Sequence, residues 1–440
     1  YRQWRIWPAP WGVNPSPPTT PPRRRALVAA ATLAALLAAA WLAWWALVPT
    51  SDELARRVEA VFEARMGQKL VVGQVRWRVL GRPMVEVLDA RTVQPEVIRV
   101  RRVAIYPQLM PLLRQRLAID RLELDGALVP HGAMAAYRGK TPDESGAMFV
   151  RAVAFNDLTY ISYSGIPVVY EGDIHFDDDR LVHRLRLRRP GVEPPVSLDA
   201  TRDGKADGGA DLYQLRVQAA GGSARGQARL ATSAEGRMVL TGELAPRGVE
   251  VNALLEAFHR HSPINGAASG ETELRAEGDT AGELFRTLHT RSVLRVERAK
   301  ILRFDIDKAV KSLGEDRAGE TPLDSLTGVM DTQNTEQGMK TTFTQVEAVA
   351  GNYTATGQAT LYRKRVDAQG QLEIGGGIVD VPISAHGPLR KPEFSIAWGT
   401  IAGAAIGTAV LPGIGTVIGA KIGGAVTGPP KAPPASPRSR

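Results

Sequence analysis

Cysteine is missing from all 440 residues of the chain. Its absence excludes a fold held together by disulfides, catalysis by a thiol, and zinc sites built from thiolates. It leaves the cellular compartment open, because exported proteins can use disulfides but do not need them.

Aspartate and glutamate are missing from both ends of the chain. Residues 1–48 and 396–440 contain no acid but carry nine Lys and Arg residues, which account for the formal net charge of +9. The central part of the chain is therefore neutral. A basic domain would suggest nucleic-acid binding, but here the basic residues lie beside apolar segments. That arrangement indicates a membrane and no nucleic-acid partner.

Residues 26–48 form an uncharged, mostly apolar run. A helix of about 20 residues crosses the hydrocarbon core, so this run predicts a transmembrane helix. Arg23–Arg25 precede it and Asp52 follows it, which places the N-terminus in the cytoplasm and residues 49–395 in the periplasm. A cleaved signal peptide is the alternative, but its apolar region is typically about 7–15 residues long. Residues 1–25, rich in Pro, Trp and Arg, are expected to be a disordered cytoplasmic tail.

Residues 396–426 form a second apolar segment, in which glycine recurs every fourth residue on both sides of Pro412. On a helix this spacing gives one smooth side, where another helix backbone can approach closely. We therefore predict a glycine-zipper hairpin of two short helices, inserted in a membrane or packed on the β domain. The glycines of this predicted helix packing are Gly399, Gly403, Gly407, Gly415, Gly419 and Gly423. Residues 427–440 are expected to be a disordered basic tail.

Period-two alternation of apolar and polar residues dominates the chain between these ends. In one example, Leu215 and Val217 alternate with Arg216. About twenty such strands are separated by turns, and helical periodicity is confined to four places. These are 51–66, 248–260, 281–288 and 307–313.

So few helices cannot cover one face of so large a sheet. The sheet must therefore close, form a sandwich or curl. We predict a mainly β fold over residues 49–395, in which a long, twisted and curled antiparallel β-sheet forms a groove.

The alternation also predicts which side chains line this groove. The apolar residues of each strand should face its interior, and their polar neighbours should face outside. Arg186, Arg216 and Thr356 are expected outside. The residues expected inside, as a lipid-binding surface, are Leu185, Leu215, Val217, Ala355 and Ala359.

Residues with catalytic or metal-binding chemistry are scattered. His259 and His261 follow a predicted helix and read as a solvated helix end. Asp177–Asp179 lack the ligand spacing of a calcium loop. Arg184, Arg186, Arg188 and Arg189 form a basic stripe, which is an ordinary polar face or a contact for anionic headgroups. We predict no catalytic residue, cofactor or metal site, and therefore no enzyme.

Several segments resemble the bacterial AsmA family, whose relatives include TamB. The resemblance covers roughly residues 51–145 and 245–395. The segments that carry it, in chain order, are Ile98–Gly126, Pro263–Gly266, Ala276–Asp279, Leu294–Glu297, Phe304–Asp307 and Val381–Gly387. The chain departs from the family pattern at His289–Arg291, where a glycine is usual, and in the glycine-zipper segment.

The resemblance implies a single-pass inner-membrane protein with a trough-shaped periplasmic β-sheet. Such a protein would bind phospholipids or other acyl lipids and support phospholipid transport and outer-membrane integrity. Its partners would be the inner membrane and, at its C-terminal end, the outer membrane or an envelope protein.

Three functions stay open from the sequence. The first is lipid transfer along an apolar groove. The second is a non-enzymatic scaffold or assembly factor for outer-membrane proteins, and the third is an enzyme or sugar-binding module. A continuous apolar face would favour the first, and a polar pocket with clustered ionisable residues would favour the third.

Overall fold

The computed structural model describes most of the central part of the chain. The described residues are 50–78, 82–108, 118–133, 149–206, 208–312, 315–335, 337–389, 391–397 and 399. The chain divides into two units at Leu54. Of the first unit only residues 50–54 are described, and all the strands described below belong to the second.

Both predicted membrane segments fall largely outside this range. Residues 26–48 lie outside the described residues, as do all six predicted packing glycines except Gly399. The transmembrane helix and the glycine-zipper hairpin therefore stay predictions. Within the described residues, no helix has the length and apolar character needed to cross a membrane.

The described elements are 22 strands, which form one sheet, and four α-helices. The helices are α1 (Ser51–Met66), α2 (Val251–Glu256), α3 (Ala281–Thr287) and α4 (Ile306–Lys311). The strands are β1 (Lys69–Val71), β2 (Gln74–Arg78), β3 (Met84–Val93), β4 (Arg99–Pro107), β5 (Ala118–Pro130), β6 (Phe149–Ile161), β7 (Pro167–Phe176), β8 (Val182–Arg188), β9 (Ser197–Lys205), β10 (Asp211–Ala219), β11 (Gly222–Thr232), β12 (Met238–Arg247), β13 (Val249–Glu250), β14 (Ile264–Gly278), β15 (His289–Ile301), β16 (Thr321–Pro322), β17 (Ser325–Thr335), β18 (Gly338–Ala350), β19 (Tyr353–Tyr362), β20 (Arg365–Ile374), β21 (Val379–Pro388) and β22 (Glu393–Ile396). The prediction of a mainly β fold with a few short helices is confirmed.

The strands pair in chain order, from β2 beside β3 to β22 beside β21. The short strands β1, β13 and β16 share a neighbour with a longer strand, on β3, β14 and β15. One pair corrects the sequence prediction of a fully antiparallel sheet: β5 and β6 are parallel. Residues 131–148 join them, and a connection of that length can return the chain to the end where β5 began.

The two faces of the sheet differ in chemistry. We call the face that carries Leu215 the apolar face and the face that carries Arg216 the polar face. In β10 the apolar face presents Tyr213 and Val217 as well, whereas Gln214 lies on the other side. This arrangement follows directly from period-two alternation in a strand.

Several glycines on the apolar face allow the backbone of the neighbouring strand to approach closely. A Cβ atom added to Gly226 would lie 1.8 Å from the carbonyl oxygen of Glu243 on the next strand. At Gly270 it would lie 2.0 Å from the carbonyl oxygen of Val293. Gly226 and Gly270 both lie on the apolar face. The backbone of the neighbouring strand therefore occupies the space that their side chains would fill on this face. Only glycine permits so close an approach within a strand.

The short helices cover parts of the apolar face. Thr280 caps α3 by accepting a hydrogen bond from the Glu283 N–H, and Asp305 caps α4 by accepting one from the Lys308 N–H. Ile306 and Val310 of α4 pack against a cluster of Leu372, Val379 and Val381. A second cluster lies nearby and contains Ala299, Leu323 and Leu326.

Buried side chains in the described residues are mostly small. Among them, Val75, Ile119 and Val381 are the largest that are almost fully enclosed. A two-layer domain of this size would bury many more large side chains, because its core would fill the space between the layers. Most of the apolar face therefore lies half-buried within a single layer of strands.

Candidate functional site

One cross-strand row of side chains runs along the apolar face through nineteen strands, from β2 to β22. Each member lies directly opposite the next, so all share one face. We call it the central row. In order it consists of Trp77, Val85, Ile105, Leu122, Val153, Ile174, Leu185, Ala200, Leu215, Gly226, Leu244, Thr272, Ser292, Met330, Phe343, Ala359, Ala368, Ala385 and Phe394.

Three of the five predicted groove residues, Leu185, Leu215 and Ala359, belong to the central row. Val217 lies on the same face, two positions after Leu215. Lipid contact at these residues stays a prediction.

Ala355 also lies on the apolar face, four positions before Ala359, but it packs against the cluster under α4. The three residues expected outside, Arg186, Arg216 and Thr356, are exposed on the polar face.

Two hydroxyl groups interrupt the central row near its middle. The side chains of Thr272 and Ser292 lie opposite each other, and their oxygen atoms are 2.9 Å apart. Ser292 is almost completely buried, with 3% of its surface exposed. Because the two hydroxyls hydrogen-bond to each other, this polar step in an apolar path leaves neither group without a partner.

A buried arginine lies on the apolar face beside α2. The Arg189 guanidinium donates to the carbonyl oxygen of Val169 at 2.5 Å and to that of Ala257 at 3.1 Å from Nε. It also lies over the rings of Tyr170 and Phe258. Burial lowers the pKa of Arg189. This side chain ties the end of α2 to β7 and β8, five strand pairings away along the sheet.

An ion-paired cluster occupies the margin of the apolar face near β9 and β10. Arg202 lies opposite Tyr213 and bonds to the carboxylates of Asp177 and Asp211. The hydrogen bond to Asp211 is the largest of the effects that raise the pKa of Arg202. Desolvation raises the pKa of the buried Tyr213 hydroxyl, and the negative charge of Asp211 adds to the effect. The cluster neutralises charges that would otherwise be costly beside the central row.

The polar face carries ion pairs between strands. Arg188 contacts Glu171 at 2.6 Å, and Arg186 lies 3.6 Å from Asp199. Arg184 also lies 3.7 Å from Asp199. The basic stripe of β8 is therefore largely compensated by neighbouring strands. Arg189, which was predicted to belong to this stripe, lies on the opposite face.

Histidine–aspartate pairs occur at three separate places on the polar face. His175 contacts Asp173, His289 contacts Asp331 and His386 contacts Asp367, at 2.8–3.1 Å. These pairs were not predicted from the sequence, because two of the three join different strands.

The other residues considered for metal binding or catalysis lie in turns or at the end of a helix. Asp177 accepts a hydrogen bond from the Leu181 N–H, and His259 and His261 are exposed after α2. The described part of the chain contains no group of three or more residues suited to hold a metal ion.

Comparisons with known proteins give no relative for the chain. No protein-family model matches it, and neither a curated protein nor a solved structure is similar to it. The resemblance in the sequence motifs therefore stays a prediction. A functional assignment must rest on the apolar face and its central row.

Proposed function

We propose that this protein is a membrane-anchored, periplasmic lipid-transfer protein. Acyl chains would move along the central row, and headgroups would stay in water. In this role the protein supports phospholipid transport and the integrity of the outer membrane. The observation that carries the proposal is the row itself, which is apolar at every position except Gly226, Thr272 and Ser292.

The energetics of a lipid outside a membrane favour such a path. Removing one CH₂ group from water is favourable by about 0.8 kcal/mol. Exposing a single acyl chain of sixteen carbons to water therefore costs roughly 13 kcal/mol. A half-buried apolar row can shield the chain over its whole length. Soluble proteins rarely leave a contiguous apolar surface of more than a few hundred Å² without a partner.

The proposal places the sheet in the periplasm, with residues 26–48 as a single-pass anchor in the inner membrane. Its support is the positive charge of Arg23–Arg25 against the acids Asp52 and Glu53. A phosphatase that is active only outside the cytoplasm, fused after residue 200, should be active. Activity of a cytoplasmic reporter at the same position would show that the orientation is the opposite of the one proposed.

Site-specific photo-crosslinking tests lipid contact. A photoreactive residue replaces Leu215 or Ala359 on the central row, and the matched controls replace their neighbours Arg216 and Gln358 on the polar face. The row positions should capture lipid, because their side chains face the proposed path, and the controls should not. Bound lipid is identified by mass spectrometry after purification of the full chain.

Two other results would count against lipid transfer. Equal labelling of both faces would show that capture reflects detergent or membrane proximity. Capture of polypeptide but no lipid at Leu215 and Ala359 would favour the scaffold or assembly-factor alternative.

A further inference from the structure

The polar face contains two adjoining shallow hollows, both wide open to solvent, that the lipid proposal does not use. The first has a volume of about 410 Å³, and the second about 380 Å³. Gln345 lines both of them and lies at a β-bulge with a positive φ of 52°. A bulge places an extra residue in the strand and re-aims its side chain. Here it joins the two hollows into one surface, which we call the polar strip.

The register of the sheet makes the polar strip continuous. Arg295 lies opposite Thr327, which lies opposite Glu347. Glu347 in turn lies opposite Thr356, and Thr356 opposite Gln371. With Arg247 on β12, the strip extends over six strand spacings, on the order of 29 Å. That length accommodates a chain of several sugars.

Two arginines give one end of the polar strip a positive charge. Arg247 and Arg295 are exposed and line the first hollow, with Glu271 as its carboxylate. Neither arginine forms an ion pair with any carboxylate that the structure describes. Among the residues that line the first hollow, two guanidinium groups and one carboxylate leave a net positive charge, which Glu347 balances over the strip as a whole. The planar fork of arginine suits carboxylate ligands. Val293, which is 57% exposed and lies two positions before Arg295 on the same strand, also lines the first hollow and offers an apolar contact.

The other end of the polar strip is uncharged and rich in amides. Gln358, Gln369 and Gln371 are exposed and line the second hollow beside Gln345. Gln358 and Gln369 lie directly opposite each other. No hydrogen bond engages these amide groups within the described chain. Each amide offers a donor and an acceptor together, which matches neighbouring hydroxyl and acetamido groups of a sugar.

We propose that the polar strip binds an anionic glycan strand made of N-acetylated amino sugars that carry carboxylates. The glutamine end holds hydroxyl and acetamido groups, Val293 contacts the C–H face of a sugar ring, and Arg247 and Arg295 bind a carboxylate. The strip lies on the face opposite the central row, so the two ligands do not compete. This binding goes beyond lipid transfer and does not depend on it.

Calorimetric titration of the purified full chain in detergent tests the proposal. The probe is a hexasaccharide of alternating N-acetylglucosamine and N-acetylmuramic acid, and the neutral comparison is the hexamer of N-acetylglucosamine. The acidic probe should bind more tightly. The double variant Arg247→Gln with Arg295→Gln should weaken it about tenfold, to the level of the neutral hexamer. Gln358→Leu with Gln369→Leu should weaken both sugars.

Arg225→Gln is the matched control, because Arg225 is exposed on the polar face but lines neither hollow. It should leave both affinities unchanged. Three results would overturn the proposal: no binding of the acidic probe, unchanged binding by the double arginine variant, or equal binding of polyglutamate. Lipid crosslinking at Leu215 should be the same in all these variants, so failure of glycan binding leaves lipid transfer untouched.

Discussion

Charged side chains on the polar face form local networks that hold neighbouring strands together. Arg102 is the clearest example, because its guanidinium contacts Glu86 at 2.6 Å and Asp125 at 2.5 Å. The hydrogen bond to Glu86 is the largest of the effects that raise the pKa of Arg102. Burial by itself raises the pKa of Asp125, but hydrogen bonds from Asn156 and Arg102 outweigh it, and the net direction is downward.

The lowered pKa of Asp125 predicts how stability depends on pH. Its ionised form is favoured in the folded state, so its contribution is complete above the ordinary aspartate pKa of 3.8 and is lost as the pH falls through the lower folded-state value. Asp125→Asn should reduce the free energy of unfolding by about 1 kcal/mol at pH 7. That difference should vanish in strong acid.

Urea unfolding of the full chain between pH 7 and pH 2 measures this difference. Asp178→Asn is the control, because the Asp178 side chain is 94% exposed and 3.8 Å from Arg151. Such an exposed pair should contribute almost nothing at any pH. A constant difference between wild type and Asp125→Asn over the whole range would contradict the assignment.

The observed strands and helices agree closely with the sequence-based predictions where the local residue pattern determines them. The structure has α1 at Ser51–Met66, the range that its apolar periodicity and its first-turn acids predict. It has α3 at Ala281–Thr287, one residue shorter than expected. Alternation likewise predicts which residues of β10 share a face. Each of these features depends on residues within a few positions of one another.

Pairing between elements was beyond the sequence. Alternation with a period of two is the same in parallel and antiparallel strands, so it could not reveal that β5 and β6 are parallel. It also could not give the register, because bulges such as that at Gln345 shift the partners of a strand. The packing of Ala355 under α4 joins residues far apart in the chain and leaves no local signal.

Arg189 is different, because its position was readable from the sequence. It directly follows Arg188, and successive residues of a strand point to opposite faces. Its burial on the apolar face therefore follows from the same alternation that placed Leu185 and Leu187 there. Grouping it with a polar stripe by charge alone was wrong.

The sheet as a whole has one row of facing side chains that runs from strand to strand, and it has two ends. Strand β2 pairs only with β3, and β22 only with β21, so the described pairings do not close the sheet into a barrel. Eighteen strand spacings of about 4.8 Å separate Trp77 from Phe394, so the two residues lie roughly 86 Å apart along the ladder. If lipid moves along this ladder, every position of the central row lies in series with every other.

A path in series predicts how substitutions combine. Leu215→Asp and Met330→Asp each place a carboxylate on the central row, on different strands. An acyl chain that passes must partly desolvate it, at a cost of about 1–3 kcal/mol, which slows transfer roughly 5- to 150-fold. Each single variant should be slow, and the double variant should be little slower than the worse of the two, because one barrier limits the whole path.

Transfer of a fluorescent phospholipid from vesicles that carry the full chain to acceptor vesicles gives these rates. Arg216→Asp is the control, since it adds a carboxylate to the same strand on the polar face and should not change the rate. Circular dichroism shows whether each variant keeps its strand content. Rate losses that multiply in the double variant would mean that both carboxylates raise one and the same barrier, and would contradict separate steps in series. A wild-type rate in the Leu215→Asp variant would remove the central row from the lipid path altogether.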